Sequence, residues 1–262
     1  FRSCDIWEEK LNWRKLKISI NILLVVFIIL ISILVGRSVQ VSGTAEEKQP
    51  IYRVDTEEKV VSLTFDVNWA EKENLQSILD ILDKYNVKGT FFIMGGWVNY
   101  SEENVSKLKE ISERGHEIGN HSYKHPSFSK ITGDAIEEEI IKTDDIIERY
   151  TGKRPVLFRF PSGDYNKNAL MKVRSLNHIA IQWDADSVDW KEMGSDIEYN
   201  KVMKNTKSGS ILLFHNNAKY TPENLDRIVE ELKSQGYEFK PVGEMIYTED
   251  YYIDENGIQH KN

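Results

Sequence analysis

From Val60 onward the hydrophobic pattern of this chain switches repeatedly between two periods. Short apolar runs rich in β-branched and aromatic residues predict strands: VVSLTF (60–65), GTFFIM (89–94), HEIGN (116–120), VLFRF (156–160), IAIQW (179–183) and SILLF (210–214). Between them lie stretches whose apolar residues recur every three or four positions. Leu75, Ile78, Leu79 and Leu82 make one such stripe, so 73–87 predicts an amphipathic helix. Helices are predicted likewise over 101–115, opened by Ser101 and stopped by Gly115, and over 132–152, ending near Gly152. Further helices are expected over 166–176, 195–207 and 221–236, the last opened by Thr221 and Pro222. The segment 238–246 closes the pattern, and DYYIDENGIQHKN (250–262) reads as a peripheral tail with a turn at Glu255-Asn256-Gly257.

About seven strands alternating with helices predict a parallel α/β architecture, either a barrel or an open doubly wound sheet. Asp66, His121, Arg159, Asp184 or Asp186, and His215 each follow one of these runs. Several strands converging on one mouth fit a barrel better than a single crevice at a switch point.

The N-terminal segment follows a different pattern. Residues 18–36, ISINILLVVFIILISILVG, carry no charge. At about 1.5 Å per residue such a helix spans roughly 28 Å, close to the hydrocarbon core of a bilayer. Lys10, Arg14, Lys15 and Lys17 precede it, which puts residues 1–17 in the cytoplasm and the rest outside. The apolar run is longer than that of a signal peptide and no A-x-A site follows, so an uncleaved single-pass anchor is expected, with the remaining chain extracytoplasmic. Residues 37–58 read as a linker, with IYRV (51–54) an edge strand or part of it. The globular domain is expected over 59–247 and a tail over 248–262.

The net charge of −8 and the lack of a basic stripe outside the juxtamembrane segment argue against a nucleic-acid partner. A single cysteine, Cys4, rules out an intrachain disulfide framework. The chemistry lies elsewhere. In HSYKH, His121 and His125 stand four residues apart, a spacing that on one face of a helical turn lets both reach a divalent metal. The motifs TFD (64–66), RFPSG (159–163), DSVDW (186–190) and LFH (213–215) add a carboxylate, a guanidinium, a second carboxylate and an imidazole. A metal can activate water, a carboxylate can take its proton and a histidine can deliver one, so these residue types suit acid–base chemistry at a metal.

Five ordered motifs resemble the polysaccharide deacetylase family (the NodB-homology domain, carbohydrate esterase family 4) over roughly Val60–Tyr247. TFDVNW and FHNNAKYTPENL look most like its PdaB-like sporulation branch. The resemblance implies a distorted (β/α) barrel and a metal-dependent N-deacetylase of a cell-wall glycan, peptidoglycan first among them. It implies Asp66 as catalytic base, Arg159 as the group orienting it, and the Ser162 N–H as an oxyanion donor. It further implies His215 as general acid with Asp189 as its partner, Trp190 and Leu213 as substrate-pocket walls, and His121 and His125 as ligands of a divalent metal, with zinc expected. One departure stands out: where the family usually carries a second, metal-binding Asp, this chain has Val67, followed by Asn68. That substitution motivates an alternative, a catalytically weak or inactive glycan-binding module. A more distant alternative is an unrelated barrel metallohydrolase.

Overall fold

A computed structural model describes residues 49–262. The expected cytoplasmic and membrane-spanning segments and most of the linker lie outside the described residues. Among the described residues no helix is long and apolar enough to cross a membrane.

The sheet is built on β2 (Val60–Val67), whose eight residues are all buried. Alternation along it separates two environments. Val61, Leu63, Phe65 and Val67 pack into the large apolar cluster together with residues of α1 (Leu75–Lys84). Ser62, Thr64 and Asp66 point to the opposite face and are buried polar groups. Parallel neighbours flank β2: β3 (Thr90–Ile93) on one side and β8 (Ile211–His215) on the other. Beyond β3 come β4 (Glu117–Asn120), β5 (Leu157–Phe158) and β6 (Ile179–Ala180), and beyond β8 comes β7 (Ala185–Asp186). β9 (Glu238–Phe239) pairs in parallel with the first residues of β2. This is the expected parallel α/β barrel, with β3, β4, β5 and β6 shorter than the apolar runs suggested, β2 longer, and β7 in a segment that carried no strand pattern.

The helices follow the sequence pattern closely. A short α2 (Gly95–Val98) precedes α3 (Glu102–Glu113), whose Ser101 accepts a hydrogen bond from Asn104 N–H, as an N-cap does. α4 (Gly133–Thr151) ends at Gly152 in the left-handed conformation. α5 (Lys167–Ser175) and α6 (Ser195–Asn205) fall where expected. α7 (Thr221–Ser234) places Thr221 one position inside the helix, after Tyr220, and this frees its hydroxyl for the site. A short α8 (Val242–Met245) follows β9.

In the strand order β6 and β7 stand at opposite ends, which makes the barrel a distorted one. The segment before β2 runs from the end of β6 to the residues just ahead of β8. Ile51 pairs beside Ile181, its N–H bonding to Ala180 O at 2.9 Å. Three residues on, Val54 N–H reaches Gly209 O at 3.0 Å, next to β8. Gly209 has φ +76, and a Cβ there would lie 1.9 Å from Val54 O, so the approach requires glycine. Within this segment β1 (Arg53–Val54) also pairs with β11 (Ile258–Lys261), which with β10 (Tyr251–Ile253) forms a C-terminal hairpin. The tail read as peripheral is therefore tied to this segment. Its turn lies where expected, with Gly257 at φ +77, and buried Gln259 bonds both N–H and C=O of Tyr247.

Candidate active site

Asp66 and His215 are register partners at the C-terminal ends of the adjacent strands β2 and β8. Both therefore belong to the inward face at the barrel mouth. Leu213, two residues earlier on β8, shares that face, is buried, and stands in register with Asp186.

Arg159, just beyond β5, is fully buried. Its Nη1 donates to Asp66 Oδ1 at 2.9 Å and to Thr64 Oγ1 at 2.8 Å, and its Nη2 donates to Gln182 O at 3.0 Å. The guanidinium lies 4.0 Å from the Phe92 ring centroid. Such a fork fixes both position and charge. Burial alone would raise the Asp66 carboxyl. His121, Arg159 and His215 oppose it, and Asp66 stays below the usual carboxylate range. Burial pushes the His121 imidazole down to about 4, despite the opposing pull of Asp66. A neutral His121 contributes little positive charge, so we assign the larger share of the Asp66 effect to hydrogen-bonded Arg159.

His121 and His125 lie in a loop, contrary to the helical turn expected from their spacing. Ser122 and His125 both adopt positive φ, +65 and +60. Polar contacts hold the loop. Asn120 Oδ1 accepts from Ser122 N–H at 2.8 Å, while its Nδ2 donates to Asp144 Oδ1 at 2.7 Å. Ser122 Oγ accepts from His125 N–H, and Glu139 Oε2 accepts from the N–H groups of Tyr123 and Lys124. The two imidazoles still meet, with centroids 5.0 Å apart. Backbone shape achieves what a helix face was expected to do.

His121 Nδ1–H donates to Arg159 O at 3.0 Å, which leaves Nε2 as the lone-pair nitrogen. That Nε2 is buried without a hydrogen-bond partner and sits 3.4 Å from Asp66 Oδ2. Burial also lowers the His125 imidazole, keeping it neutral. Two neutral imidazoles, one braced from behind by a carbonyl, form a donor set that fits zinc or a similar divalent ion. Val67 adds nothing to it: its side chain is fully buried in the apolar cluster. Among the described residues no three or more His, Cys, Asp or Glu side chains form a ready metal cage. The side-chain oxygen of Asn68 is also buried and unpartnered.

The adjacent strand β8 holds His215. Its Nδ1–H donates to Asp189 Oδ1 at 2.7 Å, and its N–H to Asp189 Oδ2 at 2.9 Å. Thr221 Oγ1 donates to the same Oδ2 at 2.6 Å. Burial would lower the imidazole, but the Asp189 hydrogen bond and charge outweigh it, and His215 stays above its ordinary value. Ser162 is exposed with φ +53 in a turn over Pro161–Gly163. Trp190, 60% exposed, follows Asp189 at the rim.

The sequence matches the family model for polysaccharide deacetylase over residues 53–181. It is 32% identical over 215 residues to peptidoglycan-N-acetylmuramic acid deacetylase PdaA of Bacillus subtilis, covering 80% of each chain. The chain belongs to the polysaccharide deacetylase family. It is also similar to the B. subtilis protein YlxY, 34% identical over 200 residues, or 76% of this chain; it spans 61% of that relative's length. Among solved structures it superposes on the Bacillus anthracis protein BA3943, described as a CE4 family pseudoenzyme. There the TM-score is 0.72 at 33% identity, with 83% of this chain and 74% of that one covered. A mutant of BA3943 is described as having restored enzymatic activity.

Against this polysaccharide deacetylase background, Asp66, Arg159, His121 and His125 form one linked group, and His215 with Asp189 forms a second beside it. Sequence reasoning missed Thr64, Asn120, Asp144, Glu139, Gln182 and Thr221. Thr64, Gln182 and Thr221 hold Arg159 or Asp189 directly, and Asn120, Asp144 and Glu139 hold the histidine loop; of the six only Thr64 sits in a motif, as the first residue of TFD. Thr221 drew notice only as a helix start.

Proposed function

We propose that this chain is a metal-dependent hydrolase that removes N-acetyl groups from a cell-wall glycan, with peptidoglycan the favoured substrate. The observation carrying this reading is the pair of differently tuned groups in register: a carboxylate held ionised by Arg159, and an imidazole held protonated by Asp189. Family membership and the likeness to PdaA support the substrate class.

His121 Nε2 and His125 would hold a divalent ion, zinc by donor chemistry. When bound, it would polarise the acetyl carbonyl and lower the pKa of a coordinated water. Asp66, ionised and buried, accepts the proton of the attacking water as the new C–O bond forms. The Ser162 N–H, presented by its left-handed turn, serves as an oxyanion donor. Because Nδ1 of His215 is committed to Asp189, Nε2 carries the transferable proton. It passes to the leaving nitrogen as the C–N bond breaks, yielding acetate and a free amine. Leu213 and Trp190 line the pocket for the reacting sugar.

The second reading, a catalytically silent glycan-binding module, is favoured by Val67 and by the likeness to the BA3943 pseudoenzyme. We further propose residues 1–17 as cytoplasmic and 18–36 as a retained membrane anchor. The domain of 59–247, with its tail 248–262, then lies outside, following the linker of 37–58, and belongs to the PdaB-like sporulation branch. Acetate release from peptidoglycan and chitin oligomers, with and without added zinc, tests the enzymatic reading. No acetate from either polymer at saturating zinc would leave the binding module as the function.

A further inference from the structure

A cleft of about 780 Å³ lies outside the candidate site, lined in part by Trp69, Glu71, Glu73, Tyr100, Glu103 and Lys107. The reaction scheme uses none of these. Trp69 is 45% exposed and Tyr100 is 74% exposed, and their rings meet edge to face with centroids 4.9 Å apart. Trp97, almost fully buried, backs them. A Trp–Tyr pair kept in water at the edge of a large polar cleft leaves apolar area without a protein partner.

Covalent and packing links tie this cleft to the site. Trp69 is three residues past Asp66, and its carbonyl accepts from Asn217 Nδ2 at 3.3 Å, two residues past His215. Gly96 N–H bonds to Tyr123 O at 2.9 Å, inside the histidine loop. A Cβ on Gly96 would meet that carbonyl at 2.5 Å and the Trp69 ring at 3.5 Å, so the indole packs close to the loop that carries His121 and His125. The polar rim is acidic. Lys107 is shared between Glu73 and Glu103, and Glu73 also accepts from Asn216 Nδ2 at 3.0 Å. Lys107 offsets only part of the charge of Glu71, Glu73 and Glu103, which leaves acceptor oxygens toward the cleft.

We propose that this cleft is a second sugar-binding subsite, in which the Trp69–Tyr100 pair seats a pyranose of the same glycan chain, next to the residue held at Asp66 and His215. Pyranose C–H faces suit an aromatic surface, and the hydroxyl and amide N–H donors of an amino sugar suit carboxylate acceptors. A polymer substrate must continue past the reacting unit, and this cleft is tied to the site through Trp69, Asn217 and the histidine loop. The inference rests on the glycan reading above but not on catalytic competence.

The test measures binding of the full chain to soluble peptidoglycan glycan strands, disaccharide against hexasaccharide, by calorimetry and tryptophan fluorescence. The hexasaccharide should bind about tenfold tighter, the scale of one aromatic anchor. Trp69→Ala and Tyr100→Ala should each remove most of that length preference, and Trp69→Phe should retain part of it. Tyr252→Ala, at an exposed ring on the C-terminal hairpin, serves as the control and should keep the preference intact. Equal length preference in Trp69→Ala, Tyr100→Ala and the parent, or no preference in the parent, overturns the subsite. Acetate release is read separately. An intact preference without acetate removes the enzymatic reading and leaves the subsite standing.

Discussion

Asp66 and His215 occupy paired positions on neighbouring parallel strands, and each is braced from the side away from the other. Arg159 grips Asp66 from the direction of β5, and Asp189 grips His215 from beyond β7. The two braces act in opposite senses. A guanidinium favours the ionised acid and a carboxylate favours the protonated base, so the pair is biased toward a proton acceptor beside a proton donor. Were both shifted in the same sense, the site would have two acceptors or two donors and could not complete an amide cleavage.

Removing either member should therefore act on rate more than on fold. Asp66→Asn keeps shape and hydrogen-bonding capacity at the Arg159 fork, and His215→Ala empties a position at the mouth. Each is expected to lower acetate release by about 10²–10⁴-fold, with circular dichroism unchanged. Parent-level acetate release from both variants would refute the assignment.

Asp189 sets where the alkaline limb of the rate profile falls. The folded His215 lies above its ordinary value, so it contributes stability that is full below the unfolded value and fades as pH rises through the folded one. Asp189→Asn removes the charge that holds the proton, and the imidazole should titrate at lower pH. The alkaline limb of the rate profile, which reports loss of the protonated acid, should then move to lower pH. An NMR titration of the His215 ring gives the same shift without turnover.

Behind Asp189 lies a second carboxylate, Glu198, almost without surface exposure and with one oxygen unpartnered. It lies among Ser187, Asp189, Thr221 and Asn224. Burial first, and the Asp189 charge second, push its carboxyl from about 4.5 up to about 7. A raised carboxyl binds its proton more tightly when folded. Its contribution is therefore full below about 4.5 and is lost as pH climbs through about 7. Glu198→Gln should flatten that decline, so its melting temperature should exceed the parent's at pH 8 and match it near pH 4. A parallel pH dependence in the two proteins would contradict this.

Much of this site was legible because its groups sit where periodic apolar runs stop. Asp66 and His215 end strands whose alternation alone puts them on one face. The histidine spacing pointed to two imidazoles that do meet, but through a loop and not a helical turn. Their proximity depends on two positive-φ residues and on Asn120, Asp144 and Glu139, which reach the loop from α4 and from the end of β4. Such tertiary contacts leave no period in a sequence. The path of residues 51–54 was equally hidden, since it depends on a glycine, Gly209, far along the chain. Trp69 and Tyr100 come from different loops and could be paired only once those loops were folded.

Val67 offers the sharpest contrast between packing and chemistry. It is fully buried at the end of β2, in register with Ile93 and on the face turned toward the helices. Val67→Asp therefore puts a carboxylate into apolar surroundings when no metal is present. An uncompensated buried charge costs ~3–5 kcal/mol, and at about 2–4 °C per kcal/mol for a domain of this size the melting temperature should fall by roughly 10 °C. The position is also the last of its strand, directly after Asp66, whose Oδ2 lies 3.4 Å from His121 Nε2. A turn of the strand end would carry the new carboxylate toward that nitrogen, where a cation relieves the cost. Zinc should thus recover most of the lost melting temperature in Val67→Asp and raise the parent much less, because a ligand that binds only the folded state stabilises it in proportion to affinity. Thermal melts at matched zinc concentrations read both terms. Equal zinc shifts in the two proteins would mean that this side of β2 stays closed to the metal and that Val67 is there for packing alone.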